Sequence, residues 1–292
     1  MQSVHGYGID VSHHQGLISW KDVAQKGIIS AGNLPVNFAV LKCIYESNNH
    51  NKDDFFDQNY DGCIKNAINV GVYMYHARTS LQDPISETKA LIKALNGRKI
   101  HIGIWHDLED KNLKAAGNDA INNLLKTEDE ILKASGYTDI GIYCNKDWYD
   151  HVLDSKYLKS EYKYWWIARY LKNDSGKIPP DSMSPIKYAN AWQFSSKGKV
   201  SGINTTVDLD IDYTGLAAQM LGDSPKEQSG STSSNDLGIK SVSVTNSLNV
   251  RRSPELGDNI IGQLPNGTKV NATQINGKWA KIEGWVSMNY LK

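Results

Sequence analysis

Ile102-Gly103-Ile104-Trp105-His106-Asp107-Leu108-Glu109 is a short apolar run that ends in two carboxylates. Runs of this length, rich in Val, Ile and aromatic residues and bounded by Gly and polar residues, read as strands. The pattern recurs upstream at residues 7–12, 38–44 and 71–75, and downstream at 140–144, 164–168, 189–194 and 206–210, which makes eight candidate strands. Helical signals lie between the early ones. Asp83 stands as an N-cap with Pro84 at the first helical position, and that helix runs to about Leu95 with Gly97 just past its end. Another spans about residues 119–134 and stops before Gly136. Between the last three strands the connections are too short, or too rich in Gly, Ser and Pro, for full helices. The alternation predicts an α/β fold: an irregular eight-stranded parallel (β/α) barrel with helices lost between the last strands.

At 292 residues the chain divides naturally into one large domain and one small one. Residues 222–236, GDSPKEQSGSTSSND, hold no aromatic or β-branched aliphatic residue and can bury no hydrophobic face. The barrel is therefore assigned to residues 1–221, a flexible linker to 222–238 and a second domain to 239–292. Beyond the linker the pattern is all-β. Short runs at 242–244, 248–251, 260–264, 269–272, 279–282 and 284–286 are divided by turns such as Pro265-Asn266-Gly267 and Asn276-Gly277. So small a domain is expected to be a small barrel that spends Trp279 and Trp285 on packing.

Acidic and basic residues balance at 32 each, which argues against nucleic acid and against a polybasic membrane surface as partners. No stretch approaches the roughly 18 apolar residues of a membrane span. Met1-Gln2-Ser3-Val4-His5-Gly6 lacks the basic and apolar regions of a signal peptide. Cys43, Cys63 and Cys144 are scattered through apolar segments and are expected to be buried free thiols.

In such a barrel the functional residues sit where the strands end. Asp10 ends the first strand, Asp107 and Glu109 end the fourth, and Asp208 lies in the last, so four carboxylates are expected on one mouth. Residues i and i+2 of a strand share a face, which would set Asp107 beside Glu109 and raise one pKa enough to keep a proton near neutrality. Glycosidic bond cleavage needs that pairing: an acid protonates the leaving oxygen while a carboxylate stabilises, attacks or activates water. Sugar faces stack on aromatic rings, so Tyr73, Tyr75, Tyr143 and Trp166 are expected to line the groove, with Gln193 as a polar anchor. Asp210 and Asp212 are read as supporting residues. His13, His14 and His106 are read as hydrogen-bonding or exposed; with no zinc-site spacing, no metal or other cofactor is expected.

The motifs together carry a resemblance. Tyr7-Gly8-Ile9-Asp10-Val11-Ser12-His13-His14-Gln15-Gly16 resembles the G-x-D-x-S-x-x-Q-G opening of the glycoside hydrolase family 25 lysozymes, found in phage endolysins and bacterial autolysins. Trp105-His106-Asp107-Leu108-Glu109 is similar to the family's D-x-E, Trp165-Trp166-Ile167-Ala168-Arg169-Tyr170 to its W-I-A-R-Y strand, and Trp192-Gln193-Phe194-Ser195 to its W-Q-[YF]-[ST] strand. Val207-Asp208-Leu209-Asp210 resembles its final V-D-x-N, with Asp210 in place of the usual Asn. Where the family commonly has K-A-T-E-G, this chain has Lys42-Cys43-Ile44-Tyr45-Glu46-Ser47, a departure that bears on one wall of the site. The resemblance covers about residues 5–221. It implies a β-1,4-N-acetylmuramidase with Glu109 as general acid and Asp10, Asp107 and Asp208 as surrounding carboxylates. It also implies a retaining reaction, whose nucleophile is either an aspartate or the substrate's 2-acetamido group.

Leu248-Asn249-Val250-Arg251 and Gly284-Trp285-Val286-Ser287-Met288-Asn289-Tyr290-Leu291 resemble the signatures of bacterial SH3-like wall-binding domains. There Lys240, Arg251, Arg252, Lys269, Lys278, Lys281 and Lys292 outnumber Glu255, Asp258 and Glu283, a basic excess suited to an anionic wall. The implied partner is bacterial peptidoglycan, with a glycan strand in the groove and a wall polymer or peptide at the small domain. An endolysin without a signal peptide would wait in the host cytoplasm and reach the wall after release. The alternative is a catalytically silent wall-binding protein, against which the four carboxylates argue.

Overall fold

The computed structural model describes residues 4–46, 49–220, 239–251, 260–271, 274–276, 279–282 and 285–287. The chain separates into two compact units, Met1–Pro225 and Lys226–Lys292. The linker expected at 222–238 lies outside the described residues.

In the first unit eight strands close into a barrel in sequence order: β1 (Gly6–Val11), β2 (Phe38–Lys42), β3 (Asn69–Tyr75), β4 (Ile104–Asp107), β5 (Ile140–Asn145), β6 (Tyr164–Ala168), β7 (Ala191–Gly198) and β8 (Val207–Asp212). Eight helices accompany them: α1 (Trp20–Lys26), α2 (Phe56–Lys65), α3 (Arg78–Gln82), α4 (Pro84–Leu95), α5 (Lys111–Ala116), α6 (Asn118–Ala134), α7 (Ser155–Glu161) and α8 (Leu216–Met220). Helix α4 starts as its sequence predicts: Asp83 accepts a hydrogen bond from the Ser86 amide at 3.1 Å, and Pro84 occupies the first turn. It ends on Asn96 and Gly97, both left-handed.

Strands β1 to β7 pair in parallel, but β8 runs antiparallel to both β7 and β1. The expectation of a wholly parallel barrel is corrected here. Only residues 199–206 join β7 to β8, fewer than the dozen or so a parallel crossover requires, so the chain returns as a hairpin.

Alternation along the strands sorts side chains into two cores. Outward residues pack under the helices in a large cluster that includes Ile9, Val72, Ile104, Leu124, Leu132 and Ile142. Inward residues fill the barrel, with Phe38, Trp105, Tyr143, Tyr164 and Trp166 as the bulk. Such rings fit because glycines face them. A Cβ on Gly8 would come within 2.2 Å of the Phe38 ring, and one on Gly141 within 2.5 Å of Trp105. Helix α8 closes the base, burying Leu216 in the inner cluster, while the Asp212 carboxylate accepts from the amides of Thr214, Gly215 and Leu216.

The second unit contains β9 (Ile239–Ser241), β10 (Ser247–Arg251), β11 (Ile260–Pro265), β12 (Lys269–Asn271), β13 (Gln274–Asn276), β14 (Trp279–Lys281) and β15 (Trp285–Ser287). They form a five-stranded sheet, β11-β10-β15-β14-β13, and a two-stranded one, β12-β9. Its small core buries Val242, Leu248 and Val270. The first strand lies just before the 242–244 run expected, and β13 was not foreseen. The side chains of Trp279 and Trp285 lie outside what is described. Among the described residues no helix is long and apolar enough to cross a membrane. Cys43, Cys63 and Cys144 are all buried and free.

Candidate active site

Inward alternation brings Asp10 of β1, Lys42 of β2, Tyr73 and Tyr75 of β3, Asp107 of β4, Tyr143 of β5, Trp166 of β6 and Gln193 of β7 to one end of the barrel. Because β8 is reversed, it is the start of that strand that reaches this end, where Asp208 is the Cα partner of Asp10. These residues, with His14, Glu46 and Glu109, line a single cavity of about 220 Å³. All nine side chains singled out from sequence, Asp10, Asp107, Glu109, Asp208, Tyr73, Tyr75, Tyr143, Trp166 and Gln193, are in its walls. A cavity of about 320 Å³ at the opposite end of the barrel brings no such group of carboxylates together.

Hydrogen bonds fix the floor. Gln193 donates from Nε2 to Asp10 Oδ2 at 2.7 Å, and its Oε1 accepts from the hydroxyls of Tyr143, at 2.8 Å, and Tyr170. Trp166 Nε1 donates to Asp210 at 2.9 Å, so Asp210 lies buried beneath the cavity as a supporting group. Asp212, at the far end of β8, caps the turn into α8 and is remote from the mouth.

Electrostatics crowd protons onto this floor. Burial raises Asp10 well above the usual carboxylate range, Asp208 and Asp210 add to the rise, and the Gln193 amide offsets part of it. Burial raises Asp107 in the same way, with Glu109 adding and Lys42 opposing. Asp208 is pushed up to about 6 by burial and by Glu109. The cavity walls raise Glu109 too, followed by the charge of Asp110. Two expectations are refined. Strand β4 stops at Asp107, so Glu109 reaches the cavity from the loop beyond it, around the buried Leu108. The partner that lifts Glu109 is Asp110, while Glu109 lifts Asp107.

Three further lining residues, His14, Lys42 and Glu46, are not singled out as lining from sequence, although the Lys42–Ser47 segment is read there as bearing on one wall. Lys42 is buried, pairs with Glu46 at 2.6 Å and lies over the rings of Tyr45 and Tyr75. A signal was present, since Phe38, Val40 and Lys42 occupy alternate positions of one strand and the charge falls at its mouth end. His13 bonds Asp53 at 2.8 Å. His106 points outward from β4, away from the cavity, to His76 and Asp129.

This chemistry matches a known family. The model of glycosyl hydrolases family 25 matches residues 9–203, most of the first unit. The chain belongs to glycosyl hydrolase family 25. As a family 25 member it is a glycoside hydrolase, and its residues 246–292 match the bacterial SH3 domain. Among similar proteins, Lysozyme M1 of Streptomyces globisporus is 25% identical over 221 residues, covering 73% of this chain and 69% of its own length. The catalytic domain of endolysin ply40 from bacteriophage P40 of Listeria monocytogenes aligns with a TM-score of 0.58 at 21% identity, over 76% of this chain and 98% of that one. The autolysin LytC of Streptococcus pneumoniae, solved with a synthetic peptidoglycan ligand, aligns at 0.56 and 19% identity over 71% and 46%. At such identities the two solved structures speak to the shared fold of this family 25 barrel.

Proposed function

We propose that this glycoside hydrolase is a muramidase that cuts the β-1,4 bond between N-acetylmuramic acid and N-acetylglucosamine in bacterial peptidoglycan. The observation that carries the reading is the convergence of Asp10, Asp107, Glu109 and Asp208 on one aromatic-walled cavity in a family 25 chain. The names of its relatives, a lysozyme, an endolysin and an autolysin bound to a peptidoglycan ligand, support the same substrate.

Glu109 stands at the exposed rim, where a leaving oxygen can reach it, and its raised pKa lets it carry a proton. It acts as the general acid. Asp107 beneath it and the Asp10–Asp208 pair surround the oxocarbenium-like centre, and the one that is ionised stabilises its charge. Tyr73, Tyr75, Tyr143 and Trp166 supply faces for sugar stacking, with Gln193 holding Asp10 and Tyr143 in register. The bacterial SH3 region binds a wall polymer or peptide and keeps the enzyme on its substrate.

Mass spectrometry of digested, borohydride-reduced peptidoglycan tests this. New reducing ends on N-acetylmuramic acid are expected. New ends on N-acetylglucosamine, or freed amino groups, would replace the reading with a glucosaminidase or a peptidase.

A further inference from the structure

Behind the barrel wall, five titratable side chains are sealed between strands and helices. His76 follows β3, His106 projects outward from β4, Glu87 comes from α4, and Glu128 and Asp129 lie on the inner face of α6. Apart from Asp129, at 8% exposure, none is more than 1% exposed. His76 Nε2 lies 2.8 Å from His106 Nδ1, and Glu128 Oε2 is 3.3 Å from each of those nitrogens. His106 Nε2 contacts Asp129 at 2.9 Å, and His76 Nδ1 points toward Glu87 at 3.8 Å.

Neutral imidazoles do not satisfy this cluster, and an imidazolium at His106, favoured by Asp129 and Glu128, would still leave His76 Nδ1 and Glu87 Oε2 3.8 Å apart. If His106 donates to Asp129, its Nδ1 is a lone pair that accepts from His76 Nε2. That leaves His76 Nδ1 as a second lone pair facing a carboxylate. Glu128 then faces two nitrogens whose one proton lies between them. His76 Nδ1, Glu87 Oε2 and both oxygens of Glu128 are indeed buried without a hydrogen-bond partner. Buried charges in that condition are costly. Lys133, 3.0 Å from Asp129, balances only that carboxylate.

We propose that His76 Nε2, His106 Nδ1 and the Glu128 carboxylate hold a divalent transition-metal ion, zinc by donor chemistry, at a structural site outside the catalytic cavity. Two imidazoles and a carboxylate are zinc donors, whereas magnesium and calcium demand oxygen. Tetrahedral zinc with bonds of about 2.0–2.1 Å sets its donors about 3.3 Å apart, the spacing of Glu128 from both imidazoles. The imidazole pair needs to open by about half an ångström to match. With both lone pairs on the ion, His76 Nδ1–H donates to Glu87 and His106 Nε2–H to Asp129, the carboxylate–histidine–metal arrangement that orients metal ligands. His76, His106 and one Glu128 oxygen give three donors, and a water fills the fourth tetrahedral position. The ion's two charges balance Glu87 and Glu128. Spacing in sequence hides the site, because its ligands come from β4, α6 and the end of β3.

The test uses the untagged full chain, unfolded in chelator and refolded with ZnCl2 or CoCl2, because the buried ligands are reached during folding. Mass-spectrometric metal analysis after desalting is expected to give about one equivalent of zinc, the cobalt form to show tetrahedral d–d absorption, and the zinc form to melt higher than the chelated one. His76→Gln and Glu128→Gln should lose stoichiometric retention. Asp129→Asn, which alters only the group behind His106, should weaken affinity about 10–100-fold. Substoichiometric metal in the refolded wild type, or undiminished retention in all three variants, overturns the proposal. If the ligand variants do not fold, the cobalt spectrum of the wild type and the Asp129→Asn affinity still decide it.

Discussion

Asp10 and Asp208 face one another across the seam where β1 meets the reversed β8. Asp208 adds to the rise at Asp10, while Asp208 itself is pushed up to about 6 by burial and by Glu109, against a hydrogen bond with Asp10 that lowers it. The folded state therefore binds this proton more tightly than the unfolded chain. The stability it contributes is complete below about pH 4 and is lost as pH rises through 6. Asp208→Asn, neutral at every pH, should melt higher than wild type above pH 6 while losing activity, and the difference should vanish below about pH 4. Melting curves across pH check it; a pH-independent difference would remove Asp208 as the titrating group.

Glu109→Gln keeps the shape of the rim but cannot deliver a proton. Turnover should fall by at least about 10² to 10⁴, with wall binding unchanged and the melting temperature not lowered. A variant that kept more than about a tenth of the wild-type rate would move the general acid elsewhere, with Asp107, which burial and Glu109 hold above the usual carboxylate range, next in line.

Gln193→Glu places an oxygen where an amide now donates to Asp10. The two carboxylates must then share a proton, so kcat/KM at neutral pH should drop at least about tenfold and recover in part as pH falls. Gln193→Ala should lose activity without that recovery. Parallel pH profiles for the two variants would mean that Gln193 acts through packing alone.

Gly141→Ala drives a methyl into the Trp105 ring, whose edge packs against Trp166 at a centroid distance of 5.7 Å. Overpacking of this kind costs about 1–3 kcal/mol. Denaturant midpoints should fall accordingly, and activity with them, because Trp166 lines the cavity. Unchanged stability would show that the barrel interior gives way more easily than its packing implies.

Residues 1–225 expressed alone should unfold cooperatively and hydrolyse soluble glycan fragments, while 226–292 should bind walls without lysing them. Broad, non-cooperative melting of the larger piece would show that the two units depend on each other.

Much of this was legible because a barrel strand writes its position into its sequence. Trp105 and Asp107 alternate with Ile104 and His106, so the cavity face and the helix face separate on inspection. Helix α4 announced itself through Asp83 and Pro84. Helix α2 did not: its buried face mixes Phe56, Tyr60 and Cys63 with Asn59, which bonds Trp20. Strand direction left no local trace, and β8 read as an eighth parallel strand until the shortness of residues 199–206 was met by pairing. Sequence places Lys42 in a wall segment but gives it no role of its own, because a lysine at a strand end is ordinarily a solvated one, and the Tyr75 ring beneath it comes from the next strand. Glu128 and Asp129 look like the wet face of α6, although both are buried against imidazoles.

Had β8 run parallel to its neighbours, the polypeptide would leave the barrel through the same rim at which it presents its carboxylates. Reversed, it runs from Asp208 down to Asp212, which pairs with Gly6, and departs by way of α8 under the floor. Entry and exit of the catalytic chain thus lie together at the underside. The rim that carries the carboxylates is thereby kept clear of both ends of the barrel's chain.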